Sequence, residues 1–312
     1  MGYDDVVHLA SIGGWNAPHL PPGFTGTEFL EAFQSVNLQF CDTLVNSKEN
    51  DNEKGKRSCH LWDGIDWDLE GNDDVNSPRN EFTKECLDAM GEMSQLAKQT
   101  GLIVSMAPPE SYLDISTPRF SRLVNLTYPE DAWHLDFTYH GANVYAYILA
   151  KWGDSMDFVF VQFYESYSHA AFQISRRDVP PSSFLEQYVQ QLVGPTNNPE
   201  KAGYDVNFED DPSLDMDNQF VELPLSKVVF GFANGWAMNS DDDEKVIFFP
   251  IEEVKQAYES LRKKQWNPLG MGFWNVEEEH TNGVNLSSGL NSILGIRKPG
   301  LNKSEKLWGA SQ

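Results

Sequence analysis

The chain has 312 residues, of which 40% are hydrophobic and 12% aromatic, so it is long enough to bury a sizeable core. Its formal charge is −24 and its pI is near 4.5, a balance that repels phosphate backbones and anionic lipid surfaces. It also lacks an apolar run of about 18 residues, the length that a membrane-spanning helix needs. These features exclude nucleic-acid-binding and membrane-spanning proteins and predict one domain over residues 1–312 with a neutral or cationic ligand.

The spacing of the cysteines predicts neither a metal site nor a framework of several disulfide bonds. Cys41, Cys59 and Cys86 lack the paired spacing of a zinc site, while a single Cys41–Cys59 disulfide and three unpaired thiols both remain open. Acceptor tripeptides for N-glycosylation begin at Asn125, Asn285 and Asn302. They favour an extracellular protein, although the first residues do not show the basic start of a signal peptide.

Short runs rich in Val, Ile and Phe alternate with helical patterns, which predicts βα units around a parallel sheet. The predicted strands are residues 6–14, 64–70, 102–107, 158–164, 228–233 and 271–276. Helices are predicted at 81–101, ended by Gly101, at 251–265, whose terminal charges complement the helix dipole, and near 287–293. The segment 108–139 is longer than a βα connection needs, and such loops usually shape the ligand site of a barrel.

Acidic and apolar residues alternate strictly in the segment DGIDWDLEG, residues 63–71. On a strand, Asp66, Asp68 and Glu70 point to one side and the apolar residues between them to the other. Three carboxylates on one face are unfavourable in an open sheet that helices cover on both sides. Inside a β/α barrel, however, that face opens into a solvated mouth at the carboxyl ends of the strands. The segment therefore predicts a barrel strand with Glu70 nearest the substrate.

Closely spaced carboxylates repel each other, so at least one of them holds its proton near neutral pH. Cleavage of a glycosidic bond requires such a protonated acid, because the leaving oxygen must receive a proton. The alternatives for this segment are a solvated acidic turn or a magnesium or calcium site. The strict alternation with apolar residues argues against a solvated turn, while a magnesium or calcium site remains open on charge alone.

The segment resembles the DxxDxDxE signature of glycoside hydrolase family 18, with Asp63, Asp66, Asp68 and Glu70 at the four defining positions. The residues of this segment are most similar to those of the class III chitinases of that family. Three further pieces follow the order of the family's motifs. SIGG at 11–14 resembles its third-strand motif, VQFYE at 161–165 its sixth-strand motif, and GFWNV at 272–276 its eighth-strand motif. The resemblance implies a (β/α)8 barrel that acts on chitin or N-acetylglucosamine oligomers without metal or cofactor.

The resemblance also implies a retaining mechanism in which the 2-acetamido carbonyl of the substrate attacks the anomeric carbon. Glu70 would act as general acid and then base, and Asp68 would orient the acetamido group. Asp66 would tune Asp68 from below, and Tyr164 would hydrogen-bond the acetamido carbonyl. The residues expected to contact the sugar are Trp274, Gln162, Asp63 and Glu165.

Two features depart from the family pattern. Class III chitinases usually have Asn after the Tyr of the sixth-strand motif, whereas Glu165 here adds a negative charge. The SxGG motif normally follows two βα units, whereas here it begins at Ser11. We therefore expect six of the eight barrel strands, a chain that lacks the first two βα units, and an open edge at strand 6–14.

The sequence is also compatible with other functions. A catalytically silent, carbohydrate-binding member of the family is one alternative, although such members usually lack the signature Glu that is present here as Glu70. An endo-β-N-acetylglucosaminidase acting on N-glycans is another. For Trp15, Trp133 and Trp236, stacking on sugar and packing in the core are equally compatible with the sequence.

Overall fold

The computed structural model describes residues 6–45, 61–72, 74, 76–124, 143–166, 168–239 and 246–295, without the side chains of 39–45. Six parallel strands form one sheet, in the order β1 (Leu9–Gly14), β2 (Gly64–Leu69), β3 (Ile103–Met106), β4 (Phe158–Gln162), β7 (Val228–Ala233) and β8 (Gly270–Trp274). This order follows the chain, as in a β/α barrel. The predicted α/β class and all six predicted strands are confirmed.

A separate antiparallel hairpin of β5 (Gly203–Val206) and β6 (Gln219–Glu222) lies between β4 and β7 in the chain. The sequence does not predict this hairpin, because each of its strands has only four residues. The hairpin does not join the main sheet, so the number of parallel strands stays at six.

The helices of the described chain are α1 (Gly26–Val45), α2 (Lys84–Gln99), α3 (Ala146–Trp152), α4 (His169–Ala171), α5 (Pro181–Val193), α6 (Ile251–Lys263) and α7 (Leu286–Leu294). Helices α2, α6 and α7 confirm the three predicted ones. The side chain of Thr83 caps α2 by accepting the Cys86 N–H, and Gly101 follows its end with φ +86°, a conformation that favours glycine. No helix of the described residues is long and apolar enough to cross a membrane.

The apolar positions of β2 pack outward on the helices, as the alternation predicts. Ile65, Trp67 and Leu69 are buried, and the Trp67 indole N–H donates to the Ser94 hydroxyl of α2 at 2.8 Å. On the opposite side of the sheet, the Phe160 ring lies where a Cβ at Gly231 or Gly272 would be, within 2.3 and 2.6 Å. The Phe160 ring thus fills the part of this face that lies beside Gly231 and Gly272.

Only some of the cysteines and glycosylation acceptors lie within the described residues. Cys86 is buried and unpaired, and burial raises the pKa of its thiol to about 11. Cys59 and the side chain of Cys41 lie outside what the structure describes, so their disulfide stays a prediction. Asn125, Asn302 and Trp133 also lie outside the described residues. Asn285 is exposed, and its side chain caps α7 by accepting the Ser288 N–H at 3.1 Å.

Strand β1 lies at one edge of the sheet and β8 at the other, and no described strand pairs with the outer side of β1. Val6 and Val7, just before β1, are 52% and 44% exposed. A long parallel edge beside apolar residues invites pairing with another chain. We therefore expect the 312-residue chain to associate as its concentration rises, which light scattering after size-exclusion chromatography would show.

The variant Val7→Lys should reduce this association, because a charge beside an edge strand opposes pairing. Gln219→Lys, which changes the net charge equally at the exposed start of β6, is the matched control and should not. A monomer at every concentration, or equal association of the two variants, would contradict the role assigned to β1.

Candidate active site

The lowest of the three carboxylates in β2 lies between two serines of the neighbouring strands. Asp66 is in register with Ser11 of β1 and Ser105 of β3. The Ser11 hydroxyl donates to Asp66 Oδ2 at 3.1 Å, and the Ser105 hydroxyl donates to Oδ1 at 2.5 Å. Burial raises the pKa of Asp66, and the two hydroxyls oppose this by stabilising the carboxylate. Asp66 therefore does not line the cavity, and it acts on Asp68 through its charge.

Asp68 and Glu70 form a hydrogen-bonded pair at the carboxyl end of β2. The Gln162 amide nitrogen donates to Asp68 Oδ1 at 2.8 Å and to the Ala107 carbonyl at 2.6 Å, and it lies 3.4 Å from Glu70 Oε1. Burial raises the pKa of Asp68 well above its usual value, and the charges of Glu70 and Asp66 raise it further. Burial and mutual repulsion thus favour a bound proton on this pair.

Side chains from other elements fix the backbone that carries Glu70. The Tyr145 hydroxyl donates to the Leu69 carbonyl at 2.9 Å, and the Gly71 N–H donates to the Tyr112 hydroxyl at 2.9 Å. A ring nitrogen of His19 lies 3.0 Å from the Glu70 carbonyl oxygen. These contacts come from three separate parts of the chain, and they hold the end of β2 rigidly.

Gly13 allows β1 and β2 to approach closely at the level of Asp68. Its φ of +123° is unfavourable for residues with a side chain, and a Cβ at this position would lie 2.3 Å from the Asp68 carbonyl oxygen. The first glycine of the SIGG motif thus has a steric reason, because any side chain at Gly13 would displace the strand that carries the carboxylates.

A cavity of about 390 Å³ opens above the pair and combines polar and aromatic walls. Its lining includes Asp68, Glu70, Gln162, Tyr164, Trp15, Trp236 and Trp274. Trp15 and Trp274 are 61% and 55% exposed, so they present flat apolar surface to solvent rather than to the core. The Trp236 indole N–H donates to the Trp274 carbonyl at 3.1 Å, which links two of the three tryptophans.

Tyr164 and Glu165 line the cavity just after the end of β4. Burial raises the pKa of the Tyr164 phenol well above its usual value, and the nearby charges of Asp68 and Glu70 raise it further. Tyr164 therefore stays protonated and can donate a hydrogen bond. Glu165 Oε2 accepts the Ser111 backbone N–H at 3.3 Å, so this carboxylate is held at the wall of the cavity.

Asp63 is the one predicted sugar-contacting residue that the structure does not bring to the cavity. It lies at the amino end of β2 and is exposed, and its Oδ2 accepts the His8 backbone N–H at 2.8 Å. Since β2 carries its cavity residues at the carboxyl end, the structure places Asp63 away from the cavity, in contact with the chain before β1. The other predicted residues at the cavity are Glu70, Asp68, Tyr164, Trp274, Gln162 and Glu165.

A cavity of about 520 Å³ lies away from the three carboxylates, between residues 119–123 and 207–211. Although it is larger, its Arg122 and Asp211 side chains already form an ion pair at 2.6 Å. We place the candidate active site at the smaller of these two cavities because it contains Asp68 and Glu70, whose pair has a raised pKa.

No family model and no curated protein matches the chain. Several solved chitinase structures are similar to it. The GH18 chitinase ChiB from the chitin utilization locus of Flavobacterium johnsoniae is 12% identical, with 92% of this chain and 74% of that chain covered and a TM-score of 0.37. Active domain 2 of a chitinase from Pyrococcus furiosus is 14% identical, with 91% and 72% covered and a TM-score of 0.44.

The Group IV chitinase of Ostrinia furnacalis is 12% identical to this chain, with 92% of this chain and 79% of that chain covered and a TM-score of 0.44. These similar proteins are chitinases, the class of enzyme that the sequence motifs resemble. At such identities and TM-scores the likeness assigns no role to any residue. The function of the site is therefore inferred from its own geometry.

Proposed function

We propose that the chain is a chitinase-like glycoside hydrolase that cleaves β-1,4-linked N-acetylglucosamine in chitin or its oligomers with retention of configuration. One observation carries this proposal. Asp66, Asp68 and Glu70 lie on one face of β2, and the last two share a hydrogen bond at a cavity lined with tryptophan. The arrangement supplies a protonated acid beside apolar surfaces on which sugar rings stack.

In the proposed mechanism, Glu70 gives its proton to the glycosidic oxygen as the bond from that oxygen to the anomeric carbon breaks. The acetamido carbonyl oxygen of the same sugar forms the new bond to the anomeric carbon, which gives an oxazolinium ion. Water then attacks this carbon from the face that the leaving group occupied, and the bond from the carbon to the acetamido oxygen breaks, which restores the acetamido group. The Glu70 carboxylate takes up a proton from the water.

The other groups of the site stabilise the charge that develops on the acetamido group. Asp68, held by Gln162, accepts the acetamido N–H and offsets the positive charge of the oxazolinium ion. The Tyr164 hydroxyl donates to the carbonyl oxygen and orients it for attack. Asp66 remains below Asp68 and Glu70, and its negative charge favours a bound proton on that pair.

The tryptophans and the charge of the chain fit a neutral sugar chain. Trp274 forms the floor under the sugar that is cleaved, and Trp15 and Trp236 stack on neighbouring rings. A net charge of −24 does not repel such a substrate, whereas it would repel a phosphorylated one. We also propose that the enzyme acts outside the cell as one catalytic domain that needs no metal for bond cleavage.

Asp68→Asn should change the pH profile as well as the rate. The negative charges around the pair favour a bound proton, and the exchange removes one of them. The proton then leaves the site at a lower pH, so the alkaline limb of kcat/KM should move to lower pH, together with a loss of rate. Rates of parent and variant measured across pH 4 to 9 (roughly the range of shifted carboxylates) check this, and an unmoved alkaline limb would contradict the coupling.

Release of product from a chromogenic chitobioside or chitotrioside tests the proposed function. We expect turnover by the parent chain. Binding of N-acetylglucosamine oligomers without any turnover would instead support the silent carbohydrate-binding alternative. Cleavage of N-glycans but not of chitin oligomers would support the endo-β-N-acetylglucosaminidase.

A further inference from the structure

A group of three side chains that could bind a metal ion lies behind the wall of the cavity. Side-chain ligand atoms of Glu110, Asp114 and His169 all lie within 4.8 Å of one another. Glu110 and Asp114 belong to the connection that follows β3, and His169 begins α4. None of the three takes part in the proposed cleavage, and the sequence motifs did not indicate them.

The two carboxylates are buried in a way that requires compensation. Glu110 and Asp114 are each 1% exposed. Glu110 Oε2 accepts the backbone N–H of Ala170 at 3.2 Å, and the backbone of His169 provides a second hydrogen bond. In the described part of the chain, no lysine or arginine forms an ion pair with Glu110. A buried carboxylate without a cation is strongly unfavourable, so either a proton or a metal ion must neutralise it.

A buried phenol provides independent evidence for a ligand at this place. Tyr188 of α5 is 3% exposed, and its hydroxyl has no hydrogen-bond partner among the described residues. Tyr188 lies close enough to Glu110 and Asp114 for the charges of both carboxylates to act on its hydroxyl. Phe163 holds the ring edge-on, with the ring centroids 4.8 Å apart. An unpaired polar atom in such a position is otherwise costly.

We propose that Glu110, Asp114 and His169 bind a divalent transition-metal ion of the Zn²⁺ or Mn²⁺ type. Two carboxylates and one imidazole suit Zn²⁺ or Mn²⁺, whereas Ca²⁺ and Mg²⁺ prefer oxygen ligands alone. Ligand distances of about 2.0 to 2.2 Å to Zn²⁺ require only a small inward movement of these side chains. The Gln173 side-chain amide lies 2.7 Å from His169 Nε2 and orients the ring. With its oxygen turned toward the ring, this amide would accept the Nε2–H and leave Nδ1 to bind the metal ion.

The metal ion would stabilise the wall of the cavity rather than act on the substrate. The Ser111 N–H, next to Glu110, donates to Glu165, and Pro109 and Tyr112 of the same connection also line the cavity. A cation that ties Glu110 and Asp114 to His169 would hold the chain after β3 against the chain after β4. The cleavage step itself does not pass through the metal ion.

Calorimetric titration of the whole, EDTA-treated chain with ZnCl₂ near neutral pH tests this site. We expect one Zn²⁺ per chain in the parent and binding at least about tenfold weaker in Glu110→Gln and His169→Asn, because each removes a ligand. Glu222→Gln, which removes an equal charge on the exposed hairpin strand β6, is the matched control for weak binding to an acidic surface and should bind as the parent does.

Thermal unfolding with and without ZnCl₂ distinguishes loss of a ligand from loss of the fold. In EDTA, Glu110→Gln should be at least as stable as the parent, because an amide replaces a buried carboxylate. Zn²⁺ should raise the Tm of the parent and of Glu222→Gln but not that of Glu110→Gln or His169→Asn. No stoichiometric Zn²⁺ binding by the parent, or equal binding by all four proteins, would overturn the proposal and assign one shared proton to the carboxylates instead.

Discussion

Glu70→Gln is expected to lower kcat on a chromogenic chitotrioside by about 10² to 10⁴, the usual contribution of a positioned general acid. The amide keeps the shape of the side chain and cannot protonate the leaving oxygen. Since Trp15, Trp236 and Trp274 are unchanged, binding of N-acetylglucosamine oligomers should remain measurable. The result would therefore be a loss in kcat with little change in affinity.

Glu165→Gln is the matched control for this experiment, because Glu165 lines the same cavity and the exchange is chemically identical. It should retain activity within about tenfold of the parent, since it removes a wall charge and no proton donor. Activity of Glu70→Gln within a few-fold of the parent would remove the assignment of Glu70 as the acid. An equal loss in both variants would point to a general effect of charge in the cavity.

Oligomers that lack the N-acetyl group are expected to be cleaved at least about 100-fold more slowly than their acetylated counterparts, because the neighbouring nucleophile is absent. In the proposed site, Asp68 and Tyr164 both act on the acetamido group and have no other substrate group to stabilise. For the same reason, thiazoline analogues of N-acetylglucosamine oligomers should inhibit as mimics of the intermediate.

Rates on fully acetylated and fully deacetylated oligomers of equal length provide this measurement. Binding constants for both series, obtained with Glu70→Gln, separate slow chemistry from poor binding. Equal rates on the two series would argue for a carboxylate of the enzyme as the nucleophile. Failure of the thiazolines to compete with substrate would contradict the proposed intermediate.

The sequence predicted the parts of the fold that local patterns determine. The alternation in residues 63–71 specified the inward side of β2, because one face of a strand is apolar and buried. Helices α2, α6 and α7 carry periodic apolar residues, and α2 also has recognisable ends. For the cavity, the motifs indicated Glu70, Asp68, Gln162 and Tyr164, all of which the structure brings together.

Features that depend on contacts between distant parts of the chain could not be predicted. Tyr145 is 76 residues from Leu69 in sequence, and no local pattern marks its hydroxyl as the partner of that carbonyl. The hairpin of β5 and β6 has only four residues in each strand, too few for a clear alternation. Asp63 matches a motif position, but its place at the amino end of β2 separates it from the cavity.

The configuration of the first product, followed by proton NMR during cleavage of N-acetylglucosamine tetramers, tests the central claim most directly. Attack by the acetamido oxygen and then by water inverts the anomeric carbon twice, so the new reducing end should appear first as the β-anomer and change to the α-anomer only by mutarotation. Initial release of the α-anomer would show a single displacement by water and would contradict the mechanism proposed for Glu70 and Asp68.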